Sequence, residues 1–93
     1  MFDRILKRMR GLIRTRQYVV TVHAEDEMSA DGLGIYDLES VVLSGQIRER
    51  QRDRTSLEWK YLVEGRSLAG QSIVVVVKIG PTGKLVFITV YRE

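Results

Sequence analysis

The chain has 93 residues, 44% hydrophobic and 29% charged, with no cysteine, one histidine and one proline. That length gives one domain, residues 1–93, and the apolar fraction is too high for a disordered chain. The cysteine count excludes disulfide scaffolds, thiolate zinc sites and cysteine catalysis, and a lone His23 excludes a histidine-rich metal cluster. The longest apolar run, Ile73 to Val77, is far short of a membrane span, and no signal peptide is read, so a soluble, cytoplasmic protein is expected. Net charge is +3, but it is segregated: residues 1–16 carry +5, residues 17–45 carry −6, and residues 46–93 carry +4. Such blocks imply separate surfaces, and the basic ones suit phosphates or an acidic protein.

Phe2, Ile5, Leu6, Met9, Leu12 and Ile13 recur at helical spacing. They predict a first helix over 2–13, capped by Asp3, with Arg4, Lys7 and Arg8 on the opposite, solvated face. Gly11 weakens it by about 1 kcal/mol relative to alanine. Tyr18 to Val22 is β-rich, either a strand or an extended lead-in. Thr21 is then the N-cap of a helix over 22–31, whose early acids Glu25, Asp26 and Glu27 suit the helix dipole. Asp31-Gly32-Leu33-Gly34 breaks it. Ile35, Leu38, Val41 and Val42 form the buried stripe of a helix over 35–44, which Gly45 stops.

After Gln46 the period changes to two. Arg48, Arg50, Arg52 and Arg54 fall on one face of an extended segment. Leu57, Trp59, Tyr61 and Val63 share a face of the next strand. Residues 72–79 read as a central strand covered on both faces. In residues 84–91, Leu85, Phe87, Thr89 and Tyr91 share one face, and Val86, Ile88 and Val90 the other. Gly80-Pro81-Thr82-Gly83 turns the last two strands into a hairpin. Helices first and strands after predict an α+β fold, with N-terminal helices packed on a mainly antiparallel four-stranded sheet.

Three constellations could carry chemistry. His23, Glu27 and Asp31 lie at i, i+4 and i+8 of one helix face, where Glu27 can fix the imidazole tautomer of a general base. The plainer alternative is a helix-entrance histidine with acids facing water. Second is the arginine ladder with Lys60 and Arg66. Four guanidinium groups on one face fit an anionic ligand, since arginine binds phosphate bidentately. Alternatively they protect an edge strand from aggregation. Third is the chain end, Thr89, Tyr91 and Arg92. A strand-end tyrosine donates a proton, or it completes the core rim beside Phe87. Trp59 and Tyr61 are read as core rather than as a stacking platform.

The runs Tyr18-Val19-Val20-Thr21-Val22-His23-Ala24, Glu27-Met28 with Asp31, Leu43-Ser44-Gly45-Gln46-Ile47 and Phe87-Ile88-Thr89-Val90-Tyr91 resemble a family of small bacterial proteins known only as a domain of unknown function. The resemblance covers nearly the whole chain. It implies a toxin-like protein, similar in fold to the RelE/ParE and MqsR toxins, often encoded beside a YgiT-type zinc-finger antitoxin. The family's recurrent polar positions fall on His23, Glu27, Asp31 and Tyr91. Many relatives place arginine where Glu27 and Asp31 stand, and Gly34 replaces the usual Ser or Thr before its helix.

The function expected is that of a toxin cleaving messenger RNA without a metal or other cofactor. His23 or Glu27 is the base, Tyr91 the acid, and Arg48, Arg50, Arg52, Arg66 and Lys60 bind RNA phosphates. The expected partners are RNA and a cognate antitoxin, with no membrane. The rival reading is a non-catalytic protein-interaction module, or an inhibitor of another enzyme.

Overall fold

A computed structural model describes residues 1–93. Its elements are α1 (Asp3–Arg14), β1 (Tyr18–Val20), α2 (Val22–Ala30), α3 (Ile35–Ser44), β2 (Gln46–Arg52), β3 (Trp59–Arg66), β4 (Ser72–Ile79) and β5 (Leu85–Arg92). The fold is α+β, but the sheet has five strands, in the order β1-β5-β4-β3-β2, rather than the four expected. The additional strand is Tyr18–Val20, which pairs parallel to Leu85–Phe87, so the sheet is mixed. The other neighbours are antiparallel. No helix is long and apolar enough to cross a membrane.

The three helices cover one face. Met9, Ile13, Ala24, Met28, Leu38, Val41 and Val42 meet Val63, Val75, Val77, Leu85, Phe87 and Val90 in one core. The other face carries no helix layer, which corrects the expectation that β4 is covered on both sides. Val74 is nevertheless fully buried there, flanked in register by Glu64 and Tyr91.

Helix ends follow local chemistry. Asp3 is not the cap of α1. Phe2 occupies that place without a side-chain bond, and Asp3 is the first helical residue, where its charge suits the dipole. Thr21 does cap α2, accepting from the Ala24 amide at 3.1 Å. The end of α2 is a Schellman turn. Leu33 N donates to Met28 O at 2.8 Å, with Gly32 at φ 67°. At α3, Asp37 accepts from the Gly34 amide at 2.9 Å, and its second oxygen accepts from Leu68 N at 3.0 Å. Asp37 therefore starts the helix and ties down the β3–β4 loop.

Gly45 does stop α3, but without a left-handed backbone, at φ −97°. What requires glycine is proximity. A Cβ on Gly45 would overlap the Glu64 carbonyl, and one on Gly65 would overlap that of Val41. The two glycines let α3 lie directly on β3. Arg10 fastens the same corner from α1, donating to Val42 O at 3.2 Å and Gly45 O at 2.7 Å. It thereby occupies carbonyls that the helix end leaves without partners.

Two β-bulges set the site. In β2, Ile47 opposes Val63 while Glu49 opposes Leu62, so Arg48 is an extra residue. In β5, Phe87 opposes Val77 while Thr89 opposes Val76, so Ile88 is extra. Each insertion reverses the alternation beyond it.

Candidate functional site

The β5 bulge decides where Tyr91 points. Phe87 and Val90 both face the helices, and Thr89 and Tyr91 face the open side. Tyr91 therefore neither shares a face with Phe87 nor completes the core rim, as alternation without a bulge predicted. Its hydroxyl lies 3.5 Å from Arg48 Nη2.

The β2 bulge splits the arginine ladder, contrary to the expectation of one common face. Arg48 stands on the open face, where Nη1 donates to Glu64 at 2.9 Å and to Glu93 at 2.5 Å. These two carboxylates raise the Arg48 pKa, and the Arg48 contact, with that of Glu64, lowers the pKa of Glu93. The Arg48 charge is thus already matched within the chain. Arg50 and Arg52 oppose Tyr61 and Trp59 on the helix side. Their guanidinium carbons lie 4.1 and 4.7 Å from the Trp59 ring centroid. Trp59 is 38% exposed, so it is a stacking platform at the rim and not the core residue expected. Tyr61 does pack against the core, edge-on to Phe2 at 6.2 Å. Leu57, expected on the same strand face, lies in the β2–β3 turn at φ 62°. The Asp53 carboxylate organises that turn by accepting from the Thr55 and Ser56 amides, which lower its pKa.

Lys60 lies opposite Gln51 on the open face. Arg66 lies at the far end of β3, donating to Gly70 O at 3.2 Å. It borders a cleft of about 570 Å³, lined by no hydrophobic residue, that Glu64, Ser72 and Glu93 also line. Arg54 lies beyond β2, outside the ladder.

The His23 stripe is realised in part. His23 Nε2 lies 3.3 Å from Glu27 Oε1. That same oxygen accepts from the Val90 amide at 2.9 Å. Asp31 is the C-cap of α2 and bonds neither residue through its side chain. The anchoring follows from topology. β1 pairs with β5 only as far as Phe87, so the outer edge of β5 beyond it lacks a strand. Thr21 and Glu27 fill that gap: Thr21 N donates to Phe87 O at 3.1 Å, its hydroxyl donates to Ile88 O at 3.3 Å, and Glu27 takes the Val90 amide. Thr21 and Glu27 thus hold α2 to the sheet, a role that spacing did not reveal. His23 remains 69% exposed at this edge.

The structure therefore makes three groups of the expected site residues: His23 with Glu27, Tyr91 with Arg48, and Arg50 with Arg52 on Trp59. β5 and β2 are three strand steps apart, about 14 Å. One phosphate cannot touch both His23 and the Arg50–Arg52 rim. Arg92 is the last residue of β5. It follows Val90 by two residues, is exposed, and has no carboxylate within 4.0 Å.

A family model described as a domain of unknown function (DUF4258) matches residues 20–92. No curated protein and no solved structure matches the chain.

Proposed function

The chain belongs to the DUF4258 family, and on that premise we propose that it is a toxin-like ribonuclease, similar to the RelE/ParE and MqsR toxins, that cleaves messenger RNA in the cytoplasm without a metal. The observation that carries this reading is the exposed imidazole of His23, held by a carboxylate that a backbone amide itself fixes. A general base needs that combination of access and orientation. His23 takes the proton of the RNA 2′-hydroxyl. The 2′-oxygen attacks phosphorus, a 2′,3′-cyclic phosphate forms, and the 5′-oxygen leaves with a proton from water, because Tyr91 faces the open side of the sheet beside Arg48, away from α2. Arg92, without an ion-pair partner, supplies positive charge to the phosphate. Arg48 is not assigned as a phosphate clamp, because Glu64 and Glu93 already occupy it. A cognate antitoxin, of the zinc-finger type that the resemblance implies, would silence the activity.

The test is cleavage of a single-stranded RNA by the purified protein, with product ends mapped. Wild type yields cyclic-phosphate ends and His23→Ala yields none. Equal cleavage by both proteins, or none by wild type, overturns the reading. The rival, a non-catalytic interaction module, is favoured by the exposed outer edge of β2. It would show partner capture and no RNA ends.

A further inference from the structure

At the β2 end of the sheet, a groove of about 330 Å³ runs between α1 and the β2–β3 hairpin. Arg8 from α1 and Arg52 from β2 line it, with Leu57, Trp59 and Tyr61. Arg50 lies over the same tryptophan. None of Arg8, Arg50 or Arg52 has a carboxylate within 4.0 Å. The one acid lining the groove, Glu58, is taken by Lys78 at 3.1 Å. Two guanidinium groups on one ring repel each other, and the ring's quadrupole offsets only part of that. A guanidinium lying on a ring keeps its N–H edge free for bidentate bonding to an oxyanion. Arg50 and Arg52 are two residues apart on a strand, about 6.8 Å. That is comparable to the step between successive phosphates of an extended single strand. Trp59 and Leu57 add exposed apolar surface at 38% and 63%.

We propose that this groove, with Arg8, Arg50 and Arg52 around Trp59, is a track for single-stranded RNA, in which the arginines take successive phosphates and the bases cover Leu57 and the exposed edge of Trp59 that the two guanidinium groups leave open. An acidic peptide would satisfy the arginines and leave the aromatic surface bare. An oligonucleotide brings an anion and a planar apolar face with every residue. The inference rests on the ribonuclease reading for its choice of ligand, and it places substrate binding about three strands from the cleaving groups. A bound strand of several nucleotides spans the two.

Trp59 is the only tryptophan, so its fluorescence reports this groove. The probe is a 2′-O-methyl oligonucleotide, which cannot be cleaved through its 2′-oxygen. Wild type and His23→Ala should both show quenching on binding, and a poly-glutamate peptide should produce little. Arg50→Ala/Arg52→Ala should bind a labelled oligonucleotide about tenfold more weakly, with a log–log salt slope shallower by about 1.4 for two lost phosphate contacts. Lys84→Ala, in the distant β4–β5 turn, should leave the slope unchanged. Quenching by poly-glutamate alone, or an unchanged slope in the double variant, overturns the proposal. Binding without cleavage by wild type would defeat the ribonuclease reading and leave this one standing. RNA cleavage with Trp59 unaffected would do the reverse.

Discussion

The Glu27 carboxylate accepts the buried Val90 amide at 2.9 Å and holds His23 at 3.3 Å through the same oxygen. One side chain therefore closes an unpaired strand edge and orients the only histidine. Glu27→Ala leaves the Val90 amide without an acceptor, at a cost of about 1–3 kcal/mol. Glu27→Gln keeps an acceptor oxygen and removes the charge. Urea denaturation should show Glu27→Ala clearly destabilised and Glu27→Gln close to wild type, while RNA cleavage falls in both. Equal loss of stability in the two variants would show that the charge, and not the acceptor, holds the edge.

The helices were legible because their signals are local. The Thr21 cap, the Gly32 break and the apolar stripe of α3 depend on residues within a turn or two of one another. The strands as segments were also legible. What the sequence hid was parity. One inserted residue at Arg48 and one at Ile88 reverse every side chain beyond them, and neither insertion has a composition signature. For that reason the arginine ladder divides, Tyr91 changes face, and Trp59 becomes a platform. The i, i+4 spacing is enough to pair Glu27 with His23. The bond of Glu27 to Val90, 63 residues away, could only come from the packing.

Arg10 ties α1 to the carbonyl end of α3 through Val42 O and Gly45 O. A cation there also suits the helix dipole. Arg10→Met retains most of the aliphatic stem and loses both bonds. It should lower stability by about 1.5–3 kcal/mol, the range for charged hydrogen bonds. Arg10→Lys should recover only part, because lysine lacks the fork that reaches two carbonyls. Equilibrium unfolding of the three proteins tests the order.

Gly65 and Gly11 should respond to alanine in opposite directions. A Cβ on Gly65 meets the Val41 backbone, which cannot yield without moving α3 off β3. Gly65→Ala should cost about 1–3 kcal/mol or more, as overpacking does. Gly11 lies within α1 with nothing within 4 Å of an added Cβ. Gly11→Ala should stabilise by about 0.5–1 kcal/mol. For a domain of this size each kcal/mol shifts the melting temperature by about 4–8 °C. Thermal melts of the two variants should bracket wild type, and a stabilised Gly65→Ala would refute the close approach.

Tyr18 supplies the pH dependence. Its pKa is pushed up to about 12, first by burial and then by its 2.5 Å bond to Glu39. The ring also packs edge-on against Phe87, at 5.7 Å. An unfolded tyrosine titrates near pH 10. Between about pH 10 and 12 the unfolded chain therefore releases the proton while the folded chain keeps it. With fewer protons bound in the unfolded state, stability falls as pH rises through that window. The contribution is fully present below about pH 10 and lost by about pH 12. Tyr18→Phe keeps the edge-on ring and has no phenol to ionise. Its stability at neutral pH should drop by the lost Glu39 bond, and its alkaline decline should be shallower than wild type. Parallel declines would mean that another group governs the alkaline limb.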